Sequence, residues 1–175
     1  MRIACLLDKD FEDSEFRKPC EALRAAGHEV VVIGFEAGSI LTGKRGEECV
    51  RTDRGIAHVS SSDFDALLVP GGHSPDRLRG DARMVAFTKG FFLRDRPALA
   101  ICHGPQLLIA ADVVRGRTMT ARKTVQGELR SAGAHVVDQA VVVDGNLVTS
   151  RQPGDLDAFS RASLSVLGYA SAGRA

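Results

Sequence analysis

The sequence predicts an α/β domain built on a mostly parallel sheet with helices on both faces. Short apolar, β-branched runs alternate with segments whose apolar residues recur at helical spacing. Several runs are stopped by Pro- or Gly-rich turns, such as Pro70-Gly71-Gly72, rather than by a two-residue hairpin. The opening residues also read strand, helix, strand, which is the unit of a parallel crossover.

Arg2 to Leu7 is an apolar run stopped by Asp8-Lys9-Asp10, and it reads as a buried strand followed by a loop. A helix follows, with Phe16, Cys20 and Leu23 on one face and Gly27 as its stop; Pro19 is expected to end or kink its first turns. His28 to Ile33 is the second strand. The Gly-rich, polar stretch from Ile40 to Val50 suits a small hairpin. Ala66 to Val69 is a short strand broken by Pro70-Gly71-Gly72. From Ala82 to Arg94 apolar residues recur at helical spacing, Pro97 introduces a strand over Ala98 to Ile101, and a helix runs from Pro105 to near Asp112. Strands near Val136-Val137 and Val141 to Val143 flank a turn. Asp144-Gly145-Asn146 closes a hairpin onto Leu147 to Ser150. The last helix is expected to start with Asp155 as its cap and to bury Leu156, Phe159, Ser163 and Leu167.

With 175 residues, 44% hydrophobic and 26% charged, the chain suits one domain over residues 1–168, and the small-residue tail at 169–175 is expected to fray. A domain of this size buries roughly 70% of its unfolded surface, so it needs neither disulfides nor a structural metal. Cys5, Cys20, Cys49 and Cys102 show no CxxC spacing and are expected as free thiols. The 23 basic and 22 acidic residues give a net charge of +1 without a long run of one sign, which argues against a dedicated nucleic-acid or polybasic membrane surface. Aromatics are 5%, with no Trp and one Tyr, so a stacking platform for single strands has little material. The first apolar run is too short for a signal-peptide core or a membrane span, and a cytoplasmic protein is expected. His28, His58, His73 and His135 are dispersed without zinc spacing, and no Gly-rich dinucleotide fingerprint follows the first strand, so no metal or cofactor is expected.

In open parallel sheets ligands bind beyond the carboxyl ends of the strands. Three such ends supply candidates. Beyond the strand at Ile101 come Cys102 and His103. A nucleophile on a tight strand-to-helix turn is held out in a strained conformation, and the helix N-terminus lowers a thiol's pKa. The residues alone leave Cys102 open between this role and that of a buried strand-end thiol. Adjacency does not by itself place the His103 ring on its neighbour's sulfur. Beyond Val69, Gly71 and Gly72 are first of all a turn, but their backbone N–H groups can also hold a developing oxyanion. Glu12 either satisfies a helix start or, protonated, donates a hydrogen bond to a thiolate.

Taken together, Phe11-Glu12-Asp13, Ala25-Ala26-Gly27-His28-Glu29-Val30, Asp65-Ala66-Leu67-Leu68-Val69-Pro70-Gly71-Gly72, Ala100-Ile101-Cys102-His103-Gly104-Pro105-Gln106, Val142-Val143-Asp144-Gly145-Asn146 and Ser150-Arg151-Gln152-Pro153-Gly154-Asp155-Leu156 resemble the ThiJ/PfpI family, in particular its PfpI-like intracellular proteases and general stress proteins. The resemblance runs from Met1 to about Gly168. It implies a flavodoxin-like three-layer sandwich of the class I glutamine-amidotransferase type. It further implies an elbow nucleophile at Cys102, a buried acid at Glu12 beside it, and an oxyanion hole from the backbone N–H groups of Gly72 and His103. PfpI-like members pair the histidine with a carboxylate from a neighbouring subunit in a homodimer or hexamer. The matching position here is Asp76, one methylene shorter than the usual Glu. Ala121-Arg122-Lys123 replaces an aromatic residue and Pro beside the pocket; Arg122 there either favours anionic or carbonyl substrates or is a solvated surface residue.

The resemblance implies proteolysis, glutathione-independent glyoxalase activity or removal of early glycation adducts. A Cys102 thiolate adding to an electrophilic carbon serves all three. Aldehyde chemistry is favoured over peptide cleavage, because an amide needs its leaving group protonated. The expected partners are small carbonyl compounds or glycated proteins, with no specific nucleic acid and no membrane. A second reading is a redox-responsive or chaperone-like stress protein in which Cys102 is oxidised. Glutamine amidotransfer is disfavoured because no histidine lies beyond His135.

Overall fold

A computed structural model describes residues 1–173. In chain order, β1 (Arg2–Leu6), α1 (Asp13–Ala25) and β2 (Glu29–Gly34) form the opening crossover, and β3 (Ile40–Thr42) and β4 (Cys49–Arg51) a separate antiparallel hairpin. Next come β5 (Arg54–Gly55), β6 (Ala66–Val69), α2 (Ser74–Leu78), α3 (Ala82–Leu93), β7 (Ala98–Ile101) and α4 (Pro105–Ala110). The chain continues through β8 (Thr118–Met119), α5 (Lys123–Ser131), β9 (His135–Val136), β10 (Val141–Asp144), β11 (Leu147–Ser150) and α6 (Leu156–Ala172).

The central sheet has the order β10-β11-β7-β6-β1-β2-β5. Its pairings are parallel except for the antiparallel β10–β11 edge. Strands β6 and β7 are buried at every residue, which is why they read as unbroken apolar runs. Side chains alternate between the two faces. Ala4, Leu6, Leu67, Val69, Ala98 and Ala100 pack with residues of α3, α4 and α5, while Ile3, Cys5, Leu68, Leu99 and Ile101 pack with α1 and α6. This is the expected three-layer sandwich. Each fully buried Leu or Phe, such as Leu67 or Phe159, contributes roughly 1.5–3 kcal/mol of burial. The carboxyl ends of β1, β6 and β7, which are neighbours in the sheet, therefore open on one edge.

Local expectations fail where tertiary contacts intervene. Helix α1 runs through Pro19 without ending, because Phe16, Cys20 and Leu23 are buried against the sheet on either side of it. Asp155 does not cap α6; its carboxylate accepts from the Arg151 backbone N–H at 3.1 Å and from its Nε at 3.0 Å. The strand at Val136 does not pair across a turn with Val141 to Val143. It joins β8 in a separate parallel pair, Thr118 opposite His135 and Met119 opposite Val136. α2, α5 and β8 have no sequence-based counterpart. α5 buries only Val125, Gln126 and Leu129, a stripe too thin to announce a helix. Of the tail expected to fray, α6 continues through Ala172, and Arg174 and Ala175 lie outside the described residues.

Candidate active site

Cys102 sits at the turn from β7 into α4 with φ of +62°, in the left-handed region that costs a non-glycine residue about 1–3 kcal/mol. Three backbone bonds impose it. Cys102 N–H donates to the Ser150 carbonyl at 2.9 Å, the Cys102 carbonyl accepts from Arg122 N–H at 2.9 Å, and Gly104 N–H donates to the Ile101 carbonyl at 2.8 Å. Gly104 is required here: a Cβ would stand 2.5 Å from the Val69 carbonyl oxygen. Cys102 is buried, with 5% of the residue exposed, at the end of β7 where it joins the core layer under α1 and α6.

The acid beside the thiol is Glu15, not Glu12. Glu12 precedes α1 in an extended conformation, and its carboxylate turns to the β3–β4 hairpin tip, pairing with Lys44 Nζ at 3.1 Å and Arg45 Nε at 3.1 Å. Ser14 Oγ also donates to it at 3.1 Å. Glu15, fully buried one turn later, accepts the Gly71 N–H on Oε1 at 3.0 Å and lies against Cys102. Its Oε2 is sealed from solvent without a hydrogen-bond partner of standard geometry. The two elements lock reciprocally: Glu12 N–H donates to the Gly71 carbonyl at 3.1 Å while Gly71 N–H donates to Glu15. In a capping box the acid three residues into a helix reaches back to the cap's own N–H; here the Pro-Gly-Gly turn takes both partners. The pattern Glu12-x-x-Glu15 was the signal that could have found the second acid.

Burial first, then the Glu12 charge, pushes the Glu15 carboxyl up to about 8, so it keeps its proton at neutral pH. Burial and the negative charge of an ionised Glu15 raise the Cys102 thiol to about 12, while Arg122 and the His103 backbone N–H act in the opposite direction. Two acids in one dry site do not both ionise, and the pair titrates as a unit. With Glu15 protonated its repulsion is gone, and its O–H, on the otherwise unpartnered Oε2, is available to a thiolate.

His103 does touch its neighbour: Nδ1 lies 3.3 Å from Cys102 Sγ. Burial, followed by the Arg122, Lys44 and His73 charges, lowers its pKa, so the ring is neutral near pH 7. Gly71 N–H is taken by Glu15 and His73 N–H by the Asp10 carbonyl at 2.8 Å. Gly72 N–H, between them, has no acceptor among the described residues. Gly72 has φ of +78°, and a Cβ there would stand 2.6 Å from the Asp10 carbonyl oxygen. The turn thus packs on the elbow, since a Cβ on Gly71 would lie 2.8 Å from Cys102 Cβ. Asp76 is exposed on α2; Arg79 holds its carboxylate at 2.7 Å while also binding Glu128 at 2.6 Å. Asp76 makes no hydrogen bond to His103 within the chain. Asp13, fully buried, accepts backbone N–H groups from Arg45, Glu47 and Glu48 at 2.8–2.9 Å and so ties the hairpin tip to α1.

Comparison with known proteins bears on the family and the fold. The DJ-1/PfpI family profile matches residues 1–166. The chain is 54% identical over 168 residues to protein/nucleic acid deglycase 2 of Escherichia coli K12, covering 95% of this chain and 98% of that one. It is 54% identical over 162 residues to an uncharacterized protein of Staphylococcus aureus Mu50, covering 91% and 94% of the two chains. A two-domain protein of Anabaena variabilis with a DJ-1/ThiJ/PfpI-like and a ferritin-like domain superposes with a TM-score of 0.93 at 42% identity, over 98% of this chain but 49% of that one. DJ-1beta of Drosophila melanogaster superposes with a TM-score of 0.85 at 26% identity, covering 98% and 96%. On the sheet order, the elbow cysteine with its buried glutamate and a family match spanning nearly its whole length, the chain belongs to the DJ-1/PfpI family.

Proposed function

We propose that the chain is a cysteine-dependent enzyme that removes early carbonyl adducts from amino groups, and that it converts the released oxoaldehyde to a hydroxy acid. The observation that carries this reading is the left-handed Cys102 thiol against a Glu15 carboxyl that holds its proton to about pH 8. The name of the Escherichia coli relative, which extends the carriers to proteins and nucleic acids, supports it.

A carbinolamine adduct expels its amine to give an α-oxoaldehyde, RCOCHO. The Cys102 thiolate adds to the aldehyde carbon; the carbonyl π electrons pass to oxygen, which accepts hydrogen bonds from Gly72 and His103 N–H. The oxygen takes a proton, giving a hemithioacetal. Neutral His103 removes the proton from that carbon, and the proton returns at the adjacent one, leaving a thioester. Water cleaves the thioester, so that RCOCHO and H2O become RCH(OH)COOH and the thiol is regenerated. Peptide cleavage fits less well, because a histidine with a lowered pKa is a poor donor to a leaving amine. A reducing cytoplasm suits a site that depends on a free thiol. In the same proposal, Asp76 orients His103 of a second copy across a subunit interface. Mixing Cys102→Ala with Asp76→Ala should then restore part of the activity; no recovery after verified subunit exchange rejects the shared site.

The test is release of lactate and free amine from methylglyoxal-treated N-acetyl-lysine. Wild type should release both, and Cys102→Ser should lose at least about 10³-fold. Full turnover by the Ser variant rejects the reaction. Peroxide-dependent gain of two oxygens on Cys102 with no turnover in wild type replaces it with the redox reading.

A further inference from the structure

The cations at the elbow exceed those the chemistry above uses. Among the half-buried arginines, Arg2, Arg17, Arg79, Arg96, Arg117 and Arg151 each pair with a carboxylate. Arg122 is the exception: among the described residues its guanidinium has no ion pair and no hydrogen bond. A partly desolvated, unpaired guanidinium is costly, and its planar fork matches a carboxylate or phosphate. Its place is set by the nucleophile itself, since Arg122 N–H donates to the Cys102 carbonyl at 2.9 Å. Its charge reaches both Cys102 and His103.

A second cation acts on His103 from the hairpin tip. Lys44 is anchored there by its N–H on the Phe11 carbonyl at 2.9 Å, and it shares the single Glu12 carboxylate with Arg45. Asp13, Glu47 and Glu48 lie at the same tip, so it carries no excess positive charge. The nearby anion, Asp76, is largely answered by Arg79 at 2.7 Å. Among the described residues Arg122 is thus the cation beside the thiol that no carboxylate answers, in a chain that as a whole is near neutral.

We propose that Arg122 is a specificity-determining residue that binds a carboxylate or phosphate carried next to the reacting carbon, so that adducts on anionic carriers are preferred over neutral ones. As a preference among substrates this rests on the reaction proposed above; as an anion subsite beside Cys102 it does not.

Two readouts separate them. The first needs no turnover: the rate of Cys102 alkylation, followed on its own peptide by mass spectrometry, with iodoacetate and with iodoacetamide. The ratio of the two rates should be at least about fivefold higher in wild type than in Arg122→Ala, with Arg122→Lys between them. Because both reagents see the same thiol, a change in thiol acidity cancels from the ratio. Inorganic phosphate should slow alkylation competitively in wild type and much less in Arg122→Ala, which tests the phosphate arm separately. The second readout is turnover of methylglyoxal hemithioacetals of N-acetylcysteine and of its neutral amide, with a preference for the anionic member of about tenfold that shrinks in Arg122→Ala. An alkylation ratio equal in wild type and Arg122→Ala, with no phosphate effect, overturns the subsite even if turnover is robust. A shifted ratio with no turnover in wild type keeps the subsite and rejects the reaction.

Discussion

Glu12 and Glu15 stand one turn apart at the start of α1, both buried, yet they face different regions. On the hairpin side, Glu12 receives Lys44, Arg45 and the Ser14 hydroxyl, a set that suits a charged carboxylate. On the elbow side, Glu15 has one backbone N–H, a thiol and an unpartnered oxygen, and it holds its proton to about pH 8. Burial alone does not decide how a carboxyl titrates: burial and the Glu12 charge push Glu15 up, whereas three backbone N–H groups hold the equally buried Asp13 down. The same helix start thus supplies one carboxylate paired to the hairpin and one buried acid that holds its proton beside the Cys102 thiol.

The largest effect that sharpens this contrast is on turnover. Glu15→Ala should lower kcat/KM for adduct removal about 10²-fold, as expected when a positioned acid or base is lost. An equal loss in Glu12→Ala would break the comparison.

The pH dependence comes next. Wild-type activity should fall as pH rises through about 8, about tenfold per unit beyond it, as Glu15 gives up its proton, and Glu15→Gln should lack that limb in a pH–rate profile. Stability carries the same sign. The folded carboxyl titrates near 8 and the unfolded one near 4.5, so between these values the folded chain holds a proton that the unfolded chain has lost. This contribution is therefore fully present below the unfolded value and declines by about 1.4 kcal/mol per pH unit up to the folded one. Urea denaturation at pH 5.5 and 7.5 should show a decline that is shallower in Glu15→Gln.

Asp13 tests the hairpin side. Burial raises its pKa, but the backbone N–H groups of Arg45, Glu48 and Glu47 outweigh that and hold it below the ordinary value. Asp13→Asn should cost about 2–3 kcal/mol in denaturant unfolding, because an amide nitrogen then faces donors. The smallest effect is expected for Glu12→Ala, less than about threefold in kcat/KM; the change frees Lys44 and Arg45 without touching the thiol.

Much of the architecture was legible because it depends on neighbours in the chain. The apolar runs at Arg2 to Leu7, Ala66 to Val69 and Ala98 to Ile101 and the turns after them place the carboxyl ends of three strands. Cys102 with Gly104, and Gly71 with Gly72, announce an elbow and a close turn through residue types that tolerate close backbone approach. α5 was not legible, since its thin buried stripe acquires meaning only against the sheet. The pairing of β9 with β8 was equally hidden, because its partner is a two-residue strand that has no pattern of its own.

The sequence by itself determined the layered α/β architecture, the strand-end turn that carries Cys102 and the sheet edge on which it opens, since alternation, glycine placement and strand ends are local properties. Only the tertiary structure decided which glutamate is the acid and which arginine is left without a carboxylate. Those assignments depend on Lys44 and Arg45 folding back some thirty residues later onto Glu12, and on Gly71 taking Glu15, so that charge and proton follow contacts made across the fold.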